Sequence, residues 1–182
     1  GGGRSMHVVH QADMLGQLFD QVKAQAKTMF KNDVLYVEKY LATPRHIEVQ
    51  IIADHSGQVA VIGDRDCSVQ RRHQKIIEEA PASVLTPAIR QSLHTSCRAL
   101  CQKMDYVGVG TLEFLYQDNQ MYFIEMNTRI QVEHAVTEAV TGIDLLAWQI
   151  RVAQGQLLPK TWMHGVGFDG VAVELRINAE HP

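Results

Sequence analysis

The chain has 182 residues, of which 46% are hydrophobic and 20% are charged, and its formal net charge at pH 7 is -3. These values are typical of a globular domain that can bury a sizeable core. They argue against nucleic-acid binding, which usually requires a strongly basic surface, so any basic function must be local.

The cysteines and the apolar runs bear on the cellular compartment. Cys67, Cys97 and Cys101 form no CxxC pair, so the sequence predicts neither a disulfide framework nor a cysteine zinc site. No apolar run approaches the roughly 20 residues needed to span a bilayer, and no signal-peptide pattern opens the chain. We therefore expect an intracellular protein without a membrane partner, in the cytoplasm or, in a eukaryote, the mitochondrial matrix.

The first part of the chain predicts a helix followed by a strand. Apolar residues recur at helical spacing over residues 15–30, which indicates an amphipathic helix that ends near Asn32. Residues 34–41 are predicted to form a strand. Pro44 then turns the chain, because it cannot donate into a continuing ladder.

The middle of the chain predicts a hairpin, a loop and a helix. Residues 47–52 and 59–62 are apolar segments on either side of the turn sequence DHSG, a pattern typical of a hairpin. The charged residues 64–75 are predicted to form a loop. A threonine followed by a proline opens residues 86–106, which is typical of a helix N-terminus, and helical periodicity follows.

The last part of the chain predicts a second hairpin, a helix and a final strand. Residues 110–116 and 121–128 are predicted strands joined across QDNQ, residues 145–150 are helical, and residues 170–177 form the last strand. Hairpins and separate helices favour an α+β architecture over regular βαβ units. Both chain ends are abrupt, so we expect a fragment of a longer protein.

The sequence FIEMNTRIQVE at residues 123–133 carries a polar group at every second position. In an extended chain alternate side chains share one face. Five hydrogen-bonding groups would then line one side, namely Glu125, Asn127, Arg129, Gln131 and Glu133. The solvated face of an ordinary amphipathic strand would give the same pattern.

Glu113 lies among apolar residues of the preceding strand, where an unpaired carboxylate is costly to bury. If the connection to the next strand contains an odd number of unpaired residues, Glu113 lies opposite Glu125. Two opposed carboxylates need a proton or a cation between them, and two glutamates with Asn127 suit Mg²⁺ or Mn²⁺. The pattern favours a metal that carries nucleotide phosphates.

Three further features can bind anions or need partners. QRRHQK at residues 70–75 concentrates cations and amides that can bind phosphate or bicarbonate, although a solvated charged loop is the alternative. The glycine run at residues 1–3 can cradle phosphates or serve as a linker. Arg176 lies within an apolar predicted strand, where it needs a partner such as Glu174 or Glu180.

Taken together, four segments resemble the biotin carboxylases, which are ATP-grasp enzymes. These segments are EKYL at residues 38–41, PRH at 44–46, RDCSVQRRHQK at 65–75 and EMNTRIQVEH at 125–134. The likeness spans essentially the whole chain and implies a partial ATP-grasp fold of the α+β class. It assigns residues 1–41 to the end of the lid subdomain, with its glycine-rich loop, and residues 42–182 to most of the core ATP-binding subdomain, truncated at its C-terminus.

The resemblance also implies roles for individual residues. The implied ATP-binding positions are Gly2, Gly3, Glu38, Lys39, Leu41, His46, Gln70, His73 and Leu115, and the implied metal-binding positions are Glu113, Glu125 and Asn127. The positions implied for bicarbonate and biotin are Lys75, Arg129, Gln131, Val132, Glu133 and Arg176. Lys75, Arg129, Glu133 and Arg176 are the expected catalytic residues. Among them, Glu133 deprotonates bicarbonate and Arg176 stabilises the biotin enolate.

The implied reaction is the ATP-dependent carboxylation of biotin with bicarbonate, the first half-reaction of an acyl-CoA or pyruvate carboxylase. It requires ATP, Mg²⁺ or Mn²⁺, bicarbonate and carrier-bound biotin. The implied partners are a biotin carboxyl carrier protein, a carboxyltransferase and a second copy in a homodimer. Ser5 replaces an expected glycine and Ala135 a usual proline. The family's upstream phosphate-binding lysines and C-terminal tail are not in this sequence, so we expect the chain alone to be inactive.

Two alternatives remain open. A carbamoyl phosphate synthetase also begins by activating bicarbonate with ATP, although the combination of Lys75 and Arg176 argues against that acceptor. A nucleotide-binding module that has lost catalysis is the other, and the retention of Glu113 and Glu133 weighs against it. INAE at residues 177–180 resembles the acetyl-CoA carboxylase type, but acyl selectivity belongs to a carboxyltransferase that this chain lacks.

Overall fold

The computed structural model describes residues 6–179, and the chain divides into two compact units, Gly1–Ala42 and Thr43–Pro182. In the first unit a short 3-10 helix, Ala12–Met14, leads into helix α1, Leu15–Phe30. The helix ends where Lys31 adopts a left-handed conformation and donates its backbone N–H to the carbonyl of Lys27. The predicted amphipathic helix is confirmed.

The strand predicted for residues 34–41 is wrong, because this segment has no regular secondary structure. A strand needs a neighbour that completes its backbone hydrogen bonds, and the sheet formed by residues 6–179 does not include this segment. The apolar side chains that suggested a strand, Val34, Tyr36 and Val37, are exposed.

Between residues 43 and 179 the second unit contains six strands. They are β1, Arg45–Ala53; β2, Val59–Arg71; β3, Gln74–Ala80; β4, Gly108–Gln117; β5, Gln120–Asn127; and β6, Ala172–Leu175. All neighbouring pairs are antiparallel, in the order β5-β4-β1-β2-β3-β6. Both predicted hairpins are present, and the last strand is shorter than predicted.

The loop predicted for residues 64–75 is also wrong. These residues form the end of β2 and the start of β3, and Arg72 and His73 make the turn between them. The sequence left open whether these charged side chains bind an anion or face water. Asp64, Arg65 and Asp66 are instead buried, and a buried charge with partners is compatible with a central strand.

Three helices complete the second unit: α2, Pro87–Lys103; α3, His134–Thr141; and α4, Leu145–Ala153, with a 3-10 helix, Lys160–His164. The Thr86 hydroxyl accepts the Ile89 N–H and caps α2 as predicted. Helix α3 follows a segment that was predicted to stay extended to Glu133. Within residues 6–179 every helix is too short or too polar to cross a bilayer.

The helices cover opposite faces of the sheet. On one face, Leu93 and Cys97 of α2 pack against Val49 and Ile51 of β1. On the other face α4 packs against the sheet through a separate apolar cluster. The three cysteines are buried free thiols, and burial raises their pKa, in Cys101 to about 11. Cys97 and Cys101 belong to the apolar cluster beneath α2.

Candidate functional site

The β4–β5 hairpin places two carboxylates opposite each other. Glu113 pairs with Glu125, and the register shifts immediately after Glu113. The two-residue turn, Asp118 and Asn119, plus one bulged residue, Ile124, supplies the odd number of unpaired residues that the sequence argument required. The predicted register is confirmed. Glu113 is buried and Glu125 is exposed.

A cleft of about 930 Å³ opens beside this pair. The predicted site residues that line it are His46, Gln70, His73, Lys75, Glu113, Glu125, Asn127, Arg129, Gln131, Val132, Glu133 and Arg176. Leu115 does not line the cleft; it is half-buried in β4, two residues beyond Glu113 and thus on the same strand face. The cleft therefore unites nearly all predicted site residues of the second unit.

The remaining predicted positions lie elsewhere in the chain. Glu38, Lys39 and Leu41 are in the irregular segment of the first unit. Gly2 and Gly3 lie outside the described residues. The cleft and its contacts lie within the second unit.

The polar row from Glu125 to Glu133 does not follow one extended strand. Strand β5 ends at Asn127, and Glu133 is the N-cap residue of α3. Gln131 and Glu133 point inward and are buried, whereas Arg129 is exposed. The prediction that these side chains share a site was based on strand alternation, but a turn after β5 brings Gln131 and Glu133 to the cleft.

Lys75 is surrounded by three carboxylates. Its Nζ donates to Glu113 Oε1 at 3.0 Å and to Glu133 Oε1 at 2.7 Å, and it also contacts Glu48 Oε1. Burial alone would lower the pKa of Lys75, but Glu48 and Glu133 raise it above its ordinary value. The ammonium group therefore stays protonated and presents a fixed positive charge in the cleft.

Glu133 is shared between two cations. Its Oε1 accepts from Lys75, and its Oε2 accepts from Arg176 Nη2 at 2.8 Å. Arg176 follows β6, and its backbone N–H bonds to the carbonyl of Ile76 at 2.9 Å. Arg176 Nη2 also lies 2.6 Å from Glu78 Oε1. Within the described residues Glu133 and Glu78, rather than the predicted partner Glu174, form the ion pairs of Arg176. Glu180, the other predicted partner, lies outside the described residues.

His46 completes the carboxylate cluster. Its Nε2 lies 2.9 Å from Glu113 Oε2 and 3.5 Å from Glu48 Oε1. Burial by itself would lower the pKa of His46, but the two carboxylates raise it to about 9. A protonated imidazole at neutral pH adds to the positive charge on this side of the cleft.

Arg65 is a buried residue that the sequence argument missed. Its guanidinium donates to Glu48 Oε2 at 2.9 Å and to Gln131 Oε1 at 3.1 Å. The remaining acceptors are Gln50 and the hydroxyls of Thr111 and Thr137. Arg65 thus holds the side-chain carbonyl oxygen of Gln131. The amide nitrogen of Gln131 is thereby directed to Glu113 Oε1, at 2.7 Å.

Glu48 and Glu78 were also missed. The signal for Glu48 was present, because Glu48 and Gln50 alternate with apolar residues in β1 and both are fully buried. Their partners include Arg65 of β2, Lys75 of β3 and Thr111 of β4, and no local pattern identifies such distant partners. Glu78 lies in a charged segment that appeared to be solvated.

The residues at the β4–β5 pair fit a divalent cation of the Mg²⁺ type. Two directly opposed carboxylates repel each other unless a cation lies near them, and carboxylate and amide oxygens are its preferred ligands. Asn127 Nδ2 donates to Glu113 Oε1 at 2.8 Å, so Asn127 already adjoins the buried carboxylate. A metal at Glu113 would share that carboxylate with Lys75.

This combination of an antiparallel sheet and a cleft rich in carboxylates and cations is that of an ATP-binding domain. Residues 1–161 match the family described as the carbamoyl-phosphate synthase L chain, ATP binding domain, and the chain belongs to this family. The chain is 50% identical to the biotin carboxylase of Haemophilus influenzae and 47% identical to a pyruvate carboxylase subunit of Methanothermobacter thermautotrophicus. Both alignments cover 100% of this chain but only 40% and 37% of the relatives. The chain thus spans about two fifths of the length of the curated relatives it matches.

Solved structures agree with this relationship. The biotin carboxylase of Campylobacter jejuni, solved as a β-γ-ATP complex, superimposes with a TM-score of 0.88 at 46% identity, over 97% of this chain and 39% of that chain. The biotin carboxylase domain dimer of the Hydrogenobacter thermophilus 2-oxoglutarate carboxylase, in complex with MgADP, ADP and bicarbonate, gives 0.89 at 41% identity, over 99% and 40%. The resemblance to biotin carboxylases and the partial ATP-grasp fold are confirmed.

Proposed function

We propose that this chain is the central part of a biotin carboxylase, which uses ATP and bicarbonate to carboxylate biotin on a carrier protein. The observation that carries the proposal is the arrangement of Glu133, whose two oxygens are shared between Lys75 and Arg176 at the wall of the cleft. One carboxylate thereby adjoins a cation suited to bicarbonate and a cation suited to a second anionic substrate. The relatives solved with MgADP and bicarbonate support this assignment.

In the first step Glu133 accepts the proton of bicarbonate. An oxygen of the resulting carbonate then attacks the γ-phosphorus of ATP, ADP leaves, and carboxyphosphate forms. Lys75, Arg129 and Gln131, together with the backbone of Val132, hold the anion. Their fixed positive charge and N–H groups offset the repulsion between the carbonate and the phosphates.

In the second step carboxyphosphate breaks down to CO₂ and phosphate. The released phosphate accepts the proton of the biotin ureido nitrogen, and this nitrogen attacks CO₂ to form carboxybiotin. Negative charge develops on the ureido oxygen as the proton leaves, and we assign Arg176 to stabilise it. Arg176 therefore acts after Glu133 in the reaction.

The resemblance implies nucleotide-binding positions in each part of the chain. In the first unit Glu38, Lys39 and Leu41 are implied for adenine, and Gly2 and Gly3, implied for the phosphates, lie outside the described residues. In the second unit His46, Gln70, His73 and Leu115 would lie near the ribose, phosphates and base. Mg²⁺ or Mn²⁺ held by Glu113, Glu125 and Asn127 would supply positive charge on the phosphates.

The proposed partners follow from the reaction. They are a biotin carboxyl carrier protein, a carboxyltransferase and a second copy of the whole protein, and the proposed compartment is the cytoplasm or an organelle matrix. The family model is named for carbamoyl-phosphate synthase, so a synthetase that uses ammonia in place of biotin is the second candidate. The similarity to biotin carboxylases extends over the whole of this chain. It therefore favours the biotin carboxylase over the synthetase.

A chimera tests the proposal. The matching segment of the Haemophilus influenzae enzyme is replaced by this chain, and ATP hydrolysis is measured with and without bicarbonate and biotin. We expect bicarbonate-dependent hydrolysis, its stimulation by biotin, and formation of carboxybiotin. The unfused chain is the control, and it should turn over ATP negligibly. A folded chimera that is indifferent to biotin but forms carbamoyl phosphate from ammonia would overturn the proposal in favour of the second candidate.

A further inference from the structure

Glu78 is a fully buried carboxylate in β3, with 0% of the residue exposed. Neither of its oxygens accepts a hydrogen bond from residues 6–179, yet Oε1 lies 2.6 Å from Arg176 Nη2. A buried carboxylate is costly unless a cation compensates it. Glu78 is too buried to touch a substrate in the cleft, so its effect must pass through Arg176.

The backbone fixes these two residues side by side. Glu78 pairs with Glu174 across the β3–β6 ladder, and Arg176 follows two residues later on the same strand face. The hydrogen bond from the Arg176 N–H to Ile76 holds the base of the arginine side chain. Burial raises the pKa of Glu78, and the Arg176 guanidinium opposes that rise. Each group thus stabilises the charge of the other.

The same nitrogen of Arg176 serves two carboxylates with different roles. Nη2 lies 2.8 Å from Glu133 Oε2 and 2.6 Å from Glu78 Oε1. When Glu133 takes the proton of bicarbonate it loses its charge, and its attraction for Arg176 falls. Glu78 does not exchange protons with a substrate in the cleft, so its contact with Arg176 persists through that step.

We propose that Glu78 is a positioning residue that holds the Arg176 guanidinium at the cleft wall while Glu133 exchanges its proton with the substrate. The proposal rests on the proposed function, because it takes Glu133 as the base and Arg176 as the group that acts on biotin. Glu78 should therefore affect only the second step, the carboxylation of biotin.

The kinetic test uses Glu78→Gln in the chimera, with Glu79→Gln as the matched control, because Glu79 follows Glu78 in β3 and lies on the opposite strand face. Glutamine keeps the volume and removes the charge. We expect Glu78→Gln to lower kcat for biotin carboxylation at least tenfold and to change biotin-independent, bicarbonate-dependent ATP cleavage less than twofold. Glu79→Gln should change both less than twofold. In an Arg176→Ala background Glu78→Gln should have no further effect. Equal losses in both partial reactions, or no loss in either, would overturn the proposal.

A second measurement needs no activity and uses the chain itself. NMR of the ¹⁵N-labelled guanidinium groups should show restricted rotation of the Arg176 Nη groups in the wild type and in Glu133→Gln, which keeps Glu78. In Glu78→Gln the charged Glu133 still holds the same nitrogen, so rotation should become free only when Glu78→Gln is combined with Glu133→Gln. If this double variant does not fold, Glu78→Asp in the Glu133→Gln background keeps the buried charge and shortens its reach, and partial loss of the restriction is expected. Unchanged restriction in a folded Glu78 variant that also carries Glu133→Gln overturns the anchor even if the chimera is active. Loss of restriction with an inactive chimera supports the anchor and counts against the proposed function.

Discussion

The two faces of strand β1 are equally buried but chemically opposite. On the α2 face Ile47, Val49 and Ile51 belong to an apolar cluster. On the other face Glu48 and Gln50 are also 0% exposed, and they pack against the Arg65 guanidinium. The apolar face needs only shape complementarity. The polar face needs each donor and acceptor to meet a specific partner.

This difference separates stability from chemistry. Burying apolar groups is favourable by itself, whereas a buried ion network gains little beyond its desolvation cost. The polar face continues through Glu48 to Lys75, and from there to Glu133 and the cleft. We infer that the α2 face chiefly stabilises the second unit and that the polar face orients the charged groups of the site.

The largest expected effect is on the polar face, at Glu133. In the active chimera Glu133→Gln should abolish both partial reactions, because no carboxyphosphate forms without the base. Arg176→Ala should lower biotin carboxylation by roughly a hundredfold, or about 3 kcal/mol, and leave most bicarbonate-dependent ATP cleavage intact. The two rates are measured in separate assays on each variant. If Arg176→Ala stops ATP cleavage as fully as Glu133→Gln, the two-step assignment is wrong.

The parts of the site that were predictable from sequence are those set by local geometry. The opposition of Glu113 and Glu125 depends on a two-residue turn and one bulge within 13 residues of chain, from 113 to 125. Helices α1 and α2 are marked by periodicity and by the Thr86 cap. Each of these features is encoded within a short segment of the chain.

The parts that were missed depend on distant contacts. Arg65 reaches Glu48 across 17 positions, Gln131 across 66 and Thr137 across 72. No window of sequence shows that a charge in residues 64–75 will be neutralised in this way, so a charged strand was predicted to be a loop. The strand predicted for residues 34–41 failed for the same reason, since strand formation depends on a partner rather than on the segment.

The second prediction compares the two faces by stability. Arg65→Met leaves Glu48 buried with fewer compensating groups, so we expect the free energy of unfolding to fall by about 3–5 kcal/mol. Leu93→Ala, on the α2 face, should cost about 2–5 kcal/mol through lost burial and a cavity. Urea unfolding of the chain measures both. Adding Glu48→Met to Arg65→Met should recover much of the loss, because the uncompensated charge is removed. No recovery would indicate that Arg65 acts by packing alone.

The third prediction concerns the pH dependence of stability, and it distinguishes the two faces of β1 by the titration of His46. The pKa of His46 is raised from 6.5 to about 9, so its protonated form stabilises the fold fully below pH 6.5. That contribution is lost as pH rises from 6.5 through 9, by at most about 3 kcal/mol. Urea unfolding between pH 6 and 9.5 should show a steeper decline for the wild type than for His46→Gln.

The matched control for this titration lies on the apolar face. Val49→Ala removes no titratable group, so it should lower stability by a similar amount at every pH. The buried cysteines ionise within this window only in the unfolded chain, because burial raises the pKa of all three in the folded state. Their effect is the same in the wild type and in the variants, so it does not alter the comparison. Equal slopes for the wild type and His46→Gln would contradict the assigned ion pairs with Glu113 and Glu48.

The smallest expected effect is at the β2–β3 turn at the rim of the cleft. Both of its residues have positive φ, 52° at Arg72 and 64° at His73. The β4–β5 turn has the same geometry, with φ 53° at Asp118 and 60° at Asn119. Asparagine and aspartate tolerate this conformation, whereas arginine and histidine do so at a cost. The two turns therefore share a backbone shape, but only the second has the residues that favour it.

Replacing the unfavourable residues should stabilise the first turn. We expect Arg72→Asn and His73→Gly each to raise the free energy of unfolding by about 0.5–1 kcal/mol, while the control Asp118→Asn should change it very little. His73 lines the cleft, so His73→Gly should also weaken nucleotide binding by the chimera, measured by calorimetry. A variant that is more stable but binds nucleotide less tightly would show that the strained turn is retained for its side chains. If His73→Gly destabilises the fold, the histidine makes contacts that outweigh the backbone strain, and the turn is then a structural feature like its β4–β5 counterpart.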